Sequence, residues 1–77
     1  MFAAFLFLTT MIGSESSVLE ALKTAEGVAE AHSIMGVYDI VARVKADTMN
    51  KLKSIITKNF GGNEKITAKL AVLIREA

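Results

Sequence analysis

Seventy-seven residues make one domain, near the size at which a single core barely offsets chain entropy. The absence of cysteine removes disulfides and thiolate metal sites as a remedy. With 52% hydrophobic residues and a mean hydropathy of +0.42, the chain carries more apolar surface than so small a monomer can hide, so obligate association is expected. The formal net charge is +1 with acidic and basic residues interspersed, which leaves no basic stripe for nucleic acid and no charge block for a membrane surface.

The first stretch, Met1 to Gly13, has no charged side chain and runs Phe-Ala-Ala-Phe-Leu-Phe-Leu before Thr9 and Thr10. It is too short to span a bilayer, lacks a basic leader region and shows no cleavage site. A central strand buried on both faces fits it better. With neither an export signal nor cysteine, the expected compartment is the cytoplasm.

Ser14 or Ser17 then caps a first helix, Ser17 with Glu20 in capping-box spacing. Val18, Leu19, Leu22 and Ala25 share a face with Ala21, while Glu15, Glu20 and Glu26 form a solvated side, and Gly27 stops the helix. Two strand-like runs follow, Val28 to Met35 and Ile40 to Ala46. Asp47 or Thr48 caps a second helix with an apolar stripe of Met49, Leu52, Ile55 and Ile56, ended by Gly61-Gly62-Asn63. That glycine pair follows a helix instead of opening one, so it is not an anion-binding loop. A last strand spans about Lys65 to Ile74.

The order is β-α-β-β-α-β, so the expected fold is α+β, ferredoxin-like: a four-stranded antiparallel sheet with both helices on one face, in a single domain over 1–77. One set of strand side chains (Ala4, Leu6, Leu8, Ile40, Ala42, Val44, Ile66, Leu70, Val72) is expected to meet the helices. The other (Phe5, Phe7, Ala29, Ala31, Val41, Ala71, Leu73) is too apolar for water, and a symmetric partner sheet covers it most simply, in a dimeric α/β sandwich or barrel.

Chemistry concentrates in Gly36-Val37-Tyr38-Asp39, between the two middle strands. Glycine admits the backbone conformations a short hairpin demands. An aromatic hydroxyl and a carboxylate then stand side by side at the rim of a sheet, a start for holding a small zwitterion. The plainer reading is turn chemistry alone. His32 is the sole histidine and has no second ligand to complete a metal set, so no metal, catalytic residue or cofactor is expected.

The whole chain resembles the ligand-sensing RAM domain of the Lrp/AsnC transcriptional regulators, as a stand-alone member without their helix-turn-helix. The resemblance rests on the apolar first strand, the Gly36-Val37-Tyr38-Asp39 turn, the Ile40-to-Ala46 strand and Asp47-Thr48 opening a helix with a Leu52-Ile55-Ile56 pattern. It implies sheets paired face to face in a dimer, dimers assembled into rings, and amino acids bound between neighbouring dimers. By position, Asp39 would then accept hydrogen bonds from the effector's ammonium group. Gly36 would let backbone N–H groups approach its carboxylate, Tyr38 would wall the side, and Thr67 would match a hydroxyl of the family's last strand. Ala68 and Lys69 depart from the hydroxyl residues common there; Lys69 either substitutes a charge or is a solvated strand position.

The function these features imply is small-molecule, amino-acid sensing and oligomerisation that modulates Lrp/AsnC-type regulation without direct DNA contact. Its partners would be further copies of the chain, an amino-acid effector and full-length regulators. Two other classes compete. One is a ligand-free interaction module pairing with full-length regulators. The other is a dimeric α+β-barrel enzyme, which would need a positioned His, Asn or Trp; the chain has no Trp and one poorly supported His.

Overall fold

The computed structural model describes residues 1–75, so the expected 1–77 domain is described but for its last two residues. The elements follow in the expected order: β1 (Phe2–Thr10), α1 (Glu15–Thr24), β2 (Val28–Ser33), β3 (Ile40–Ala46), α2 (Met49–Phe60) and β4 (Ile66–Arg75). They form one four-stranded antiparallel sheet in the order β2-β3-β1-β4. This is the ferredoxin-like arrangement, with the helices on one face.

Helix boundaries have local causes. Thr48 caps α2, its Oγ1 accepting from the Lys51 N–H at 3.2 Å; this relieves one of the helix's otherwise unpaired first-turn donors. Ser14, not Ser17, is the N-cap of α1, and it makes no side-chain cap bond. The expected capping box does not form, because Ser17 lies inside the first turn and donates to the Ser14 carbonyl at 3.1 Å. Gly27 sits between α1 and β2 at φ 88°, and a Cβ there would come within 2.5 Å of the Ile55 side chain. Only glycine lets this connection lie so close to α2.

The core lies between sheet and helices. Ala4, Leu6 and Leu8 of β1, with Ile40, Ala42 and Val44 of β3, are at most 1% exposed and meet Val18, Leu22, Leu52 and Phe60 from the helices. Leu19, Met49, Ile55, Ile56 and Ile66 pack around this cluster.

Two β-bulges alter the expected assignment of faces. On β4, Thr9 pairs with Ala68 but Thr10 pairs with Ile66, so Thr67 is an extra residue. The inserted residue reverses the alternation between Ile66 and the rest of the strand. Ile66 keeps its place against the core, while Leu70 and Val72, expected beside it, stand across from Phe7 and Phe5 on the open face. Ala71 and Leu73, expected on that open face, pair with Leu6 and Ala4 and turn to the helix side. On β2 the register shifts between Val28 and Glu30, which puts Ala31, expected on the open face, opposite Ala42 and buries it.

The open face therefore carries half-buried Phe5, Phe7 and Val41 next to exposed Leu70 (46%), Val72 (43%) and Ile74 (36%). Apolar surface this continuous marks an interaction surface. The helices pack on β1, β2 and β3, and β4 is exposed along its length from Thr67.

Candidate functional site

The β2–β3 connection, residues 34–39, is longer than the short hairpin expected, since β2 ends at Ser33 rather than Met35. Backbone bonds close it at its base: the Ile34 N–H donates to the Asp39 carbonyl at 2.9 Å, and the Asp39 N–H donates to the Leu8 carbonyl at 2.7 Å. Gly36 sits near its middle at φ 157°, a conformation L side chains rarely adopt, with open space where a Cβ would be.

Asp39 is held further by its side chain. Its Oδ2 accepts from the Thr10 backbone N–H at 2.9 Å and lies 3.5 Å from the Thr10 hydroxyl. This carboxylate fastens the connection to the end of β1, just where the Thr67 bulge perturbs the β1–β4 ladder. Among the described residues no partner is seen for Oδ1, which leaves an acceptor available beside a fixed anchor.

The ring of Tyr38 lies against Phe7, with centroids 5.8 Å apart and the planes tilted by 48°; this is within the favourable range for an aromatic pair. The contact brings Tyr38 to the open face. Thr67 bonds to Thr9 through their hydroxyls at 2.8 Å. Tyr38, Asp39 and Thr67 thus gather with Gly36 at one end of the sheet, around the ends of β1 and β3. Lys69 is exposed opposite Leu8, on the helix side, away from the Thr9 hydroxyl; it is a solvated strand position.

Thr9 and Thr10 were not evident as site residues from sequence. As the tail of an apolar strand they carry no motif, and their partners lie 58 and 29 residues away. A groove of about 560 Å³ lies at the opposite end, lined by Gly27, Lys45, Asp47, Lys51, Ile55 and Lys58 among others. None of the expected site residues reaches it. Its wall mixes lysines with carboxylates.

His32 faces Glu30 on β2 at 3.7 Å, both exposed. No group of three or more potential metal ligands occurs among the described residues, and no helix among them is long and apolar enough to cross a membrane.

The family model for the Lrp/AsnC ligand binding domain matches residues 3–71. The chain belongs to that family. The Lrp/AsnC family is regulatory and oligomeric, not catalytic, and this chain is its ligand-sensing and oligomerisation domain. Solved structures agree. The hypothetical protein PHS023 from Pyrococcus horikoshii is 28% identical, with a TM-score of 0.94 over 100% of this chain and 93% of that one. FFRP-DM1 is 29% identical, with a TM-score of 0.91 over 97% of this chain and all of the other. The fold is also shared with the Neisseria meningitidis transcriptional regulator NMB0573, solved as an L-Met complex, at 9% identity and a TM-score of 0.78; the match covers 97% of this chain and 50% of that one. No curated protein sequence matches the chain.

Proposed function

We propose that this Lrp/AsnC domain senses an amino acid and couples its binding to assembly, modulating Lrp/AsnC-type transcription in the cytoplasm without contacting DNA itself. The observation that carries the reading is the anchored carboxylate: Asp39, fixed through Oδ2 by Thr10, keeps an oxygen for an ammonium group at the rim of an unpartnered apolar sheet face. A charge-assisted bond from a preorganised acceptor is the stronger kind. Gly36 admits an effector carboxylate to backbone N–H groups, Tyr38 forms a wall, and Thr67 with Thr9 offers hydroxyls. The solved complex of NMB0573 with L-Met supports this ligand class.

Two copies pair through the open faces, and dimers associate into a ring whose junctions enclose the exposed Tyr38–Asp39 end. A net charge of +1 provides few phosphate contacts, so any affinity for duplex DNA should vanish at physiological salt. Gel-shift titration at two salt concentrations checks this, and sequence-selective submicromolar binding would refute it.

Thermal-shift measurement over the twenty amino acids tests the central reading. A ligand of the native state at one hundred times its Kd adds about 2.7 kcal/mol of stability, and the shift should grow with concentration. A second reading, a ligand-free module pairing with full-length regulators, draws on the position of the 560 Å³ groove at the opposite end from Tyr38 and Asp39. It is favoured if no amino acid shifts the transition.

A further inference from the structure

The groove of about 560 Å³ at the Gly27 end takes no part in the site around Asp39, and its walls are tied together. Its volume falls within the usual range of small-molecule sites, about 300–1,000 Å³. One wall is α2, whose start is fixed by the Thr48 cap. The other is the α1–β2 connection with the end of β3, joined by the Lys45 N–H donating to the Gly27 carbonyl at 3.1 Å. The walls meet where Gly27, having no Cβ, lets the Ile55 side chain come close.

Lys51 and Lys58 line the α2 wall seven residues apart, about 10.5 Å along the helix axis, with Ile55 on the same face between them. Both lysines are exposed, and among the described residues neither ammonium group makes a hydrogen bond or ion pair. Lys45, also in the lining, already has an interaction of its own. Glu26 and Asp47 line the groove as well. A bare polyanion would meet these two carboxylates as like charges, which disfavours it. A ligand that joins phosphates to hydroxyl or amino groups satisfies both signs, because an ionised carboxylate only accepts. Ile55, Met1 and the lysine stems add apolar surface on which a flat ring can lie.

We propose that this groove binds a nucleotide. Lys51 and Lys58 take the phosphate groups as point charges. Glu26 and Asp47 accept from the ribose hydroxyls or a base amino group, and the base rests on Ile55 and Met1. The site lies at the opposite end of the domain from Asp39, so it gives the domain a second ligand input. It stands or falls independently of amino-acid sensing.

Calorimetry on the full chain, free of divalent cations, tests it with adenosine triphosphate, inorganic tripolyphosphate and adenosine. The nucleotide should bind at least tenfold tighter than either of the other two, since each supplies only half of the contacts. Lys51→Gln and Lys58→Gln should each weaken nucleotide binding about tenfold, the loss expected for one charge-assisted hydrogen bond. Their circular dichroism should not change, because both side chains are exposed. Lys53→Gln removes the same charge from an exposed position of α2 outside the groove lining, and its affinity should match the wild type. No binding of the nucleotide at millimolar concentration overturns the proposal. Equal affinity for tripolyphosphate also overturns it, by reducing the groove to a lysine patch. A Lys53→Gln loss as large as that of Lys58→Gln does the same, by tracing the effect to the general field of the helix.

Discussion

The two faces of the sheet are built from nearly the same residue types and meet opposite fates. On the helix side, Leu6, Leu8, Ile40 and Val44 are fully buried by Val18, Leu22, Leu52 and Phe60 of the same chain. On the other, Phe5, Phe7 and Val41 are half-buried and Leu70 and Val72 remain exposed. Hydrophobicity alone does not tell a core from an interface; what differs is whether the chain has an element left to cover the face. Among the described residues two helices cover one side and no element covers the other, which is the side proposed above to pair with a second copy. The candidate site sits at the boundary, where Asp39 grips Thr10 and Tyr38 leans on Phe7 of the open face.

The largest expected effect comes from charging the open face. Phe5→Asp should place an unpaired charge in the interface at a cost of about 3–5 kcal/mol, a loss of two to four decades in association. Sedimentation should show dissociation, or unfolding that strengthens as the protein is diluted. An unchanged assembly would mean that this face is not the interface.

Leu6→Ala probes the opposite side of the same strand. It should lower unfolding free energy by about 2–5 kcal/mol through lost burial and a cavity, read from the urea midpoint. The protein that remains folded should keep the wild-type assembly state. That contrast with Phe5→Asp separates core from interface.

At the boundary, two variants divide the observed anchoring role of Asp39 from its proposed role in ligand binding. Asp39→Ala removes the acceptor of the Thr10 N–H and should cost about 1–3 kcal/mol of stability. Asp39→Asn retains a carbonyl acceptor for that N–H and should cost less. Both should weaken amino-acid binding by about 1.5–3 kcal/mol, one to two decades, by removing the charge that meets the ammonium group. Chemical denaturation and calorimetry together read the two effects; undiminished affinity in Asp39→Asn would take the carboxylate out of ligand binding.

The smallest effect belongs to the covered side alone. Thr48→Ala should destabilise by about 1 kcal/mol, the usual worth of a helix N-cap, and should alter neither assembly nor ligand affinity. A change in either would show that α2 communicates with the open face.

Local chemistry determined the element order, the Thr48 cap and the concentration of Tyr and Asp after Gly36, because caps, breakers and periodicity act over a few residues; α1 ends at Thr24, ahead of the stop expected at Gly27. It also determined that one sheet face would lack cover, since 52% apolar residues exceed what two short helices can bury. Tertiary structure decided which side chains form that face. From Ala68 to Ile74, β4 is apolar on both sides apart from Lys69, so no alternation pins its register. The bulge at Thr67 set it, turning Leu70 and Val72 outward and Leu73 toward the helix side. The polar part of the site was decided in the same way. Asp39 meets Thr10 and Thr67 meets Thr9 only because strand pairing brings distant segments together, and the threonine pair depends on the one extra residue at the bulge, which local patterning does not encode.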